Sequence, residues 1–224
     1  MVVGDSNTIS SNGAVAMGSG NTASGPYSAV ISGSNNTASA QNAVVLSGDN
    51  NHADGVRSVI VTGMDNETLG NRTAIFAGEG HTTHAENSVV LAGYDNITGE
   101  DADFAVIAGG NTNTVDGQYG AIFGGRDGHV SSGSAIIIGG YRNTGSRSYA
   151  VAIGGQYNHV NGNYSVVSGG ERNTASGQAS TVSGGYSNWS TSYYSAVGER
   201  QMGRVVNVIV FAPSRGSPAD FFAP

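Results

Sequence analysis

The stretch Asn173-Thr174-Ala175-Ser176-Gly177-Gln178-Ala179-Ser180-Thr181-Val182-Ser183-Gly184-Gly185 contains two polar turns and two short runs of residues that favour strands. Its pattern returns about every fifteen residues, and each copy ends on a glycine. A fixed short period is typical of a solenoid, in which each copy packs only on its neighbours. The glycines that mark the period are Gly4, Gly18, Gly33, Gly48, Gly63, Gly78, Gly93, Gly110, Gly125, Gly140, Gly155, Gly170, Gly185 and Gly198.

Each copy offers two short strands and two turns. An apolar run precedes the glycine, as in Val59-Ile60-Val61-Thr62-Gly63, and a polar turn with Asn at its third place usually follows it. Val and Ile favour strands, whereas frequent Gly, Asn and Ser disfavour a helix. Gly and Asn also tolerate the positive φ angles that tight corners need. We therefore predict an all-β coil, roughly 60 Å long if successive rungs lie about 4.8 Å apart.

The composition excludes several classes of protein. The 224 residues include 36 Gly, no Cys and no Lys, so that all nine cations are Arg. A hydrophobic content of 38% with only 11% charged residues argues against disorder. The formal charge of −7 argues against nucleic acid and anionic membranes as partners, because both require a basic face. Apolar runs are too short to cross a bilayer, so we expect no membrane insertion by this chain.

The apolar run presents two faces, because side chains alternate along a strand. The position three before the glycine, from Val15 to Val182, is nearly always Val or Ile, and we expect it to fill the interior. The opposite face is also apolar, and in a lone rod it would form an exposed strip far larger than soluble monomers show. We expect the strips of three chains to meet around an axis; the alternative is a monomer whose strip another domain covers. The predicted trimer interface comprises Val44, Leu46, Val59, Val61, Phe76, Leu91, Phe123, Ile136, Ile138 and Ile153.

The motif Asn-Thr-Ala-Ser-Gly-x-x-Ser-x-Val-x-x-Gly occurs at residues 21–33 and at residues 173–185. It resembles the YadA-like head repeats of trimeric autotransporter adhesins, which also occur in some phage fibres and virion surface proteins. The resemblance implies a left-handed parallel β-roll of about 14 rungs in a side-by-side homotrimer. It further implies a non-enzymatic module for attachment or receptor binding, located outside the cell on a bacterial surface or on a virion.

The head-like repeats extend over residues 1–203 in this interpretation, and residues 204–224 form a C-terminal strand and tail. Arg200-Gln201, followed by Asn207-Val208, faintly resembles the neck sequence of the same adhesins. We expect this segment to serve as a cap, a neck or a docking tail.

Aromatic and arginine residues recur at two places in the period. Nine places after the glycine stand five tyrosines, and around the other corner stands a second group of Tyr and Arg. Both residue types are enriched at binding hot spots. We therefore expect contacts with a host-surface glycan or receptor protein; the alternative is that the tyrosines cover the rung edge or pack on a neighbouring chain. The candidate ligand-binding residues are Tyr119, Tyr149, Tyr164, Arg142 and Arg172.

Other functions find less support in the residues. The chain has no Gly-x-Ser-x-Gly elbow and no P-loop, and we expect no enzyme activity, no catalytic residue and no cofactor. His52, His129 and His159 share one column, but hydrated turn residues explain them better than a metal site, as they do the corner aspartates. A purely architectural role, as a capsid decoration, a fibre stalk or a contact with other virion subunits, stays open. Ice or mineral binding through the Thr column is disfavoured because bulky residues interrupt that column.

The interval between Gly93 and Gly110 is seventeen residues and contains Gly99-Glu100-Asp101-Ala102-Asp103. The two additional residues and three acids predict a corner that protrudes as an acidic loop.

Overall fold

A computed structural model describes residues 1–198, 200–201 and 204–205. Within them the chain forms a parallel β-solenoid of about thirteen turns and contains no helix. Short strands of two sheets alternate along the chain, and each strand pairs with the corresponding strand of the next turn. The all-β solenoid predicted from the period is therefore confirmed. Most of the predicted C-terminal segment 204–224 lies outside the described residues, although Arg200–Gln201 and Arg204–Val205 pair as antiparallel strands.

The first sheet has fourteen parallel strands, and its usual register places residue i beside residue i+15, as in Val44 beside Val59. Its strands precede the period-marking glycine and carry the apolar run. They are Val2–Asp5, Val15–Ser19, Ala29–Val30, Val44–Val45, Val59–Ile60, Ala74–Ile75, Val89–Val90, Val106–Ile107, Ala121–Ile122, Ile136–Ile138, Val151–Ile153, Val166–Val167, Thr181–Val182 and Ala196–Val197.

The second sheet has thirteen parallel strands and follows the Asn of each turn. Its strands are Thr8–Ile9, Thr22–Ala23, Thr37–Ala38, His52–Ala53, Glu67–Thr68, Thr82–Thr83, Ile97–Thr98, Thr114–Val115, His129–Val130, Thr144–Gly145, His159–Val160, Thr174–Ala175 and Trp189–Ser190. A row of single-residue parallel bridges, from Ser19–Ser34 to Glu171–Tyr186, adds a third line of pairing directly after the glycine.

In most turns, each strand of the two sheets contributes one buried side chain to the interior. Val30, Val45, Ile60 and the equivalent residues of later turns are fully buried, which confirms the predicted interior column. Each buried Val or Ile contributes on the order of 1.5–3 kcal/mol. At Val15 the prediction is wrong: Ala16 is buried instead and pairs with Val30. The second turn has one residue fewer between its core strand and its glycine, so counting back three places from Gly18 misses the interior.

Two effects select glycine at the end of each apolar run, as Gly48 shows. Its φ is +114°, in a region that other residues rarely adopt, and an added Cβ would lie 2.2 Å from the carbonyl oxygen of Gly63. Neighbouring turns therefore approach through their glycine backbones, and any side chain here would force them apart.

The asparagines after the glycine form a buried ladder, which the sequence analysis read only as part of a polar turn. Asn158 is fully buried, and its Oδ1 accepts the N–H of Asn173 at 3.0 Å. Its Nδ2 donates to the carbonyls of Gly154 at 3.3 Å and Gly170 at 3.0 Å, while its own N–H donates to Asn143 Oδ1 at 3.0 Å. The side chain thus serves corner groups on its own turn and on the next, and the backbone N–H of the same residue is served by the Asn of the preceding turn. The ladder consists of Asn21, Asn36, Asn51, Asn66, Asn96, Asn113, Asn143, Asn158, Asn173 and Asn188.

Two residues stand in the ladder in place of Asn. His81 is fully buried, accepts the Asn96 N–H at Nδ1 (3.0 Å), and turns Nε2 towards the Ala77 and Gly93 carbonyls without a hydrogen bond of good geometry. Burial lowers the pKa of His81, although nearby Asp95 and these carbonyls act to raise it. Gly128 has no side chain; its N–H donates to Asn113 Oδ1 at 2.9 Å, but it offers no acceptor to the next turn.

The long interval forms an additional turn. Glu100 and Asp101 are exposed at its tip, and the Ala102 N–H donates to the Gly99 carbonyl at 3.3 Å. Asp103 is half-buried and accepts the Glu86 N–H at 2.9 Å. Two acids project, therefore, and the third folds back onto the preceding turn.

Gly128→Asn should stabilise the protein. The new amide would complete the ladder once Asn113 Oδ1, which would lie 2.9 Å from the new Cβ, moves slightly aside. One net hydrogen bond is worth about 1 kcal/mol, which corresponds to a rise in Tm of about 2–4 °C for a chain of this size. Thermal unfolding followed by circular dichroism measures the change. Gly48→Ala is the opposite control and should lower Tm, because its Cβ meets the next turn. A lower Tm for Gly128→Asn would contradict the assigned role of the ladder.

His81→Asn should reduce the loss of stability in acid. Because the pKa of folded His81 lies below its ordinary value of 6.5, the unfolded chain takes up a proton first as the pH falls. Stability from this position is complete above pH 6.5 and decreases until the pH reaches the lowered pKa. Tm measured between pH 8 and pH 5 should therefore fall further for the wild type than for His81→Asn. If the Tm of both proteins falls equally with pH, His81 has the same pKa in the folded and the unfolded chain, which would contradict this prediction.

Candidate functional site

The outward face of the first sheet carries an apolar strip, which we define by the predicted trimer-interface residues. Leu46, Phe76, Leu91, Phe123, Ile138 and Ile153 are 40–56% exposed. Val44, Val59, Val61 and Ile136 lie beside them and are half-buried. The face is continuous because successive strands pair in register along the rod. Nothing in the described chain covers this strip.

A second surface, the aromatic corner, follows the strands of the second sheet. Tyr119, Tyr149 and Tyr164 occupy the same position in their copies, with φ between 59° and 60°, and each is more than half exposed. Rings on adjacent turns stack: Tyr149 and Tyr164 have centroids 4.8 Å apart and an interplanar angle of 6°. Phe104 and Tyr119 stack in the same way, at 5.1 Å and 7°.

Phe104 is a corner residue that the sequence analysis missed. The two inserted residues move it away from the nine-place spacing after Gly93. Counted backward from the following glycine, however, Phe104 lies six places before Gly110, as Tyr119 lies six places before Gly125. Spacing measured in both directions would have found it.

A third surface, the arginine corner, follows the glycine and contains Arg126, Tyr141, Arg142, Tyr157, Arg172 and Tyr186. The guanidinium carbon of Arg126 lies 4.4 Å from the Tyr141 ring centroid, and that of Arg142 lies 5.1 Å from it. Arg172 lies 5.5 Å from the Tyr157 ring and 5.7 Å from the Tyr186 ring. These distances are within the range of cation–π contacts.

Acidic and phenolic groups hold two of these arginines in place. The hydrogen bond from Arg142 to Asp127 (3.3 Å) raises the pKa of Arg142, and the bond from Arg172 to the Tyr186 hydroxyl (2.9 Å) raises that of Arg172. Arg172 also pairs with Glu171 at 2.8 Å. Both guanidinium groups therefore stay charged and oriented on an exposed surface.

A groove of about 510 Å³ runs beside the arginine corner and is lined by Gly140, Tyr141, Gly155, Gln156, Gly170, Glu171, Gly185 and Tyr186. Each of its four glycines is the second of a Gly-Gly pair. A Cβ at Gly139, Gly154 or Gly184 would meet no atom within 4 Å, so the space above these residues is open.

The predicted ligand-binding residues do not form one site. Tyr119, Tyr149 and Tyr164 lie at the aromatic corner, whereas Arg142 and Arg172 lie at the arginine corner, and a strand of the second sheet separates the two turns in every copy. The chain therefore presents two separate rows of candidate contacts.

Charge and tyrosine content both change along the rod. Residues 1–124 contain twelve acidic residues and two arginines, whereas residues 125–198 contain two acidic residues and four arginines. Eight of the ten tyrosines lie in residues 119–198. The residues of both corners that could contact a ligand are therefore concentrated in the second half of the chain.

The histidines lie apart from one another on the surface and in the ladder. His129 Nε2 contacts Asp116 Oδ2 at 2.8 Å, and His159 Nδ1 contacts the Thr144 hydroxyl at 2.9 Å. Across residues 1–198 and the two short C-terminal strands, no group of three or more His, Cys, Asp or Glu residues could hold a metal ion. The same described part of the chain has no helix long and apolar enough to cross a bilayer.

No protein-family model and no curated protein matches this sequence. The solenoid itself is what the structure establishes, and the resemblance to YadA-like head repeats stays a prediction.

Stacking at the aromatic corner should be measurable as an interaction energy. Tyr149→Ala, Tyr164→Ala and the double variant form a cycle, and a stacked pair should show a coupling of about 0.5–1.5 kcal/mol in unfolding experiments. Tyr119 and Tyr149 provide the matched control, because Ser134 separates them by one turn and their cycle should show no coupling. Equal couplings for the two pairs would contradict the stacked arrangement.

Proposed function

We propose that this chain is a non-enzymatic surface fibre or head module that assembles as a side-by-side homotrimer and mediates attachment or receptor binding. In this proposal residues 1–203 form a left-handed roll of about fourteen rungs, similar to YadA-like heads, on a bacterial surface or a phage virion. The single observation that carries it is the continuous, half-exposed apolar strip on one face of the rod.

The strip favours association for energetic reasons. Monomeric soluble proteins rarely expose a contiguous apolar patch of more than a few hundred Å². Phe76, Phe123 and Ile138 each keep about half of their surface exposed, so covering one of them contributes on the order of 1 kcal/mol. Because the strip recurs on the turns between Val44 and Ile153, the gain adds up along that length of a parallel neighbour.

Cyclic symmetry explains why such an assembly would stop growing. A rod with one adhesive face closes when identical faces meet around an axis, and three rods then bury all three strips. Both corners lie away from the outward face of the first sheet, so they stay available on the outside of the assembly.

The attachment role rests on the outward tyrosines and arginines. Exposed tyrosine rings and oriented guanidinium groups supply large contact area with polar edges, which is the composition of binding hot spots. The ligands that fit are a host-surface glycan or a receptor protein. A purely architectural role through other virion or fibre subunits is the alternative, and screening the trimer on glycan and receptor arrays separates the two.

Ile138→Asp should disrupt the assembly. The substitution would place a charge in the middle of a buried apolar interface, where an unpaired carboxylate is strongly unfavourable. Sedimentation or light scattering should give a mass about three times the 22.5 kDa of one chain for the wild type and a smaller mass for the variant.

Tyr149→Ala is the matched control for that experiment, because Tyr149 lies at the aromatic corner. It should remain trimeric and bind a captured glycan or receptor more weakly. A wild-type protein that sediments as a monomer, with the strip in contact with water, would refute the proposal.

A further inference from the structure

Between Phe104 and Tyr194 the aromatic corner has two interruptions. Its rings in this stretch are Phe104, Tyr119, Tyr149, Tyr164 and Tyr194, and the two turns without a ring carry Ser134 and Ala179. Both small residues share the left-handed backbone conformation of their neighbours, with φ of 58° and 54°. Their N–H groups donate to the Gln118 and Asn163 carbonyls of the preceding turn, each at 2.8 Å. The backbone of the corner is therefore continuous at these turns, and only the ring is absent.

The spacing of the stacked pairs sets the height of each gap. One turn separates the stacked centroids by 4.8 Å in one pair and 5.1 Å in the other. Two turns therefore place Tyr119 and Tyr149, or Tyr164 and Tyr194, about 10 Å apart. A ring at the level of Ser134 or Ala179 would lie about 5 Å from each flanking ring, a distance typical of ring contacts.

We propose that the gaps at Ser134 and Ala179 are slots that each bind one uncharged pyranose ring, such as a terminal sugar of a surface glycan. The inference rests on the attachment role proposed above and names the chemistry of its ligand. The turns that flank each slot carry a tyrosine, Tyr119 and Tyr149 in one case and Tyr164 and Tyr194 in the other, and the small residue stands on the turn between them.

The height of the slot admits one ring between the two tyrosines. A flat aromatic ring would stack there at the centroid distance of Tyr149 and Tyr164, 4.8 Å, so the choice of a sugar rests on the polar groups at the edges of the slot. A pyranose chair is thicker, because its carbons pucker and its hydrogens project from both faces, and it can contact both tyrosines at once.

The edges of the slots suit neutral hydroxyl groups. Gln118, Asn163 and Gln178 directly precede corner residues and are exposed amides, which both donate and accept hydrogen bonds. The Ser134 hydroxyl lies at the base of one slot, whereas the other has only the Ala179 methyl group. The first slot should therefore prefer a sugar that turns a hydroxyl inward, and the second should accept a deoxy or methylated edge.

Repetition compensates for the weakness of a single slot. The two slots lie three turns apart, or about 15 Å, and a trimer would present six. Linked sugars that reach more than one slot gain affinity through effective concentration without any new contact.

Saturation-transfer NMR with uncharged methyl pyranosides tests the proposal on the full chain. The wild type should bind at least one pyranoside, and the double variant Ser134→Tyr/Ala179→Tyr, in which rings fill both slots, should bind it at least about tenfold more weakly. Asn42→Tyr is the matched control: it adds the same ring at the same corner, with φ of 58°, far from either slot, and binding should not change.

The fold of each variant is verified by circular dichroism and by its solution mass. Tyr149→Ala, which removes one wall of the Ser134 slot only, should weaken binding in part.

Three results would overturn the slots: no binding of any pyranoside to the wild type, equal binding to the filled variant, or binding of p-cresol in the slots without pyranosides. In each case the attachment role is judged separately, because the trimer mass and the array screen do not depend on Ser134 or Ala179. A trimer that binds a receptor protein but no pyranoside would refute the slots and leave the attachment role standing.

Discussion

The rod depends on the buried asparagine ladder. Each corner after a glycine leaves backbone N–H and C=O groups in the interior, where unpaired polar groups are costly. A single Asn side-chain amide satisfies groups on its own turn and on the next, as that of Asn158 does with Gly154, Gly170 and Asn173. Neighbouring turns are thereby held at a fixed height. The narrow core of Val, Ile and Ala then needs only two short strands per turn.

The constant height turns every outward position into a straight row. The outward apolar residues before the glycine form the apolar strip. The residues with a left-handed backbone conformation that follow each strand of the second sheet form the aromatic corner. The residues after the glycine form the arginine corner. A substitution such as Ser134 in a row of tyrosines therefore leaves a gap of defined size, whereas on an irregular surface it would leave only a smaller side chain. Function in such a rod is specified by which residue stands at which turn.

Much of this could be predicted from the sequence, because the glycine spacing sets the period and the alternation of Val59-Ile60-Val61 sets inside and outside. The burial of the asparagines could not be predicted from the sequence, because Asn is equally common in turns that are exposed to solvent. Its hydrogen-bond partners are seen only where the turns stack in the structure. Ala16 lies in the interior where the spacing predicted Val15, because the second turn has one residue fewer between its core strand and its glycine. The division of the five candidate contact residues between two corners follows from their places in the period, and their binding of a ligand stays a prediction. The stacking of Tyr149 on Tyr164 could not be predicted, because it depends on how the rings of neighbouring turns are oriented.

We propose that three apolar strips meet around an axis, and a spin label at the end of the strip measures the distance between them. Ser168 lies in the column of Ile153 and is exposed, and the chain has no cysteine, so Ser168→Cys provides a single labelling site. The account predicts one short spin–spin distance of roughly 10–20 Å between protomers, because facing sheets pack about 10 Å apart. A spectrum without dipolar coupling between chains at micromolar concentration would contradict it.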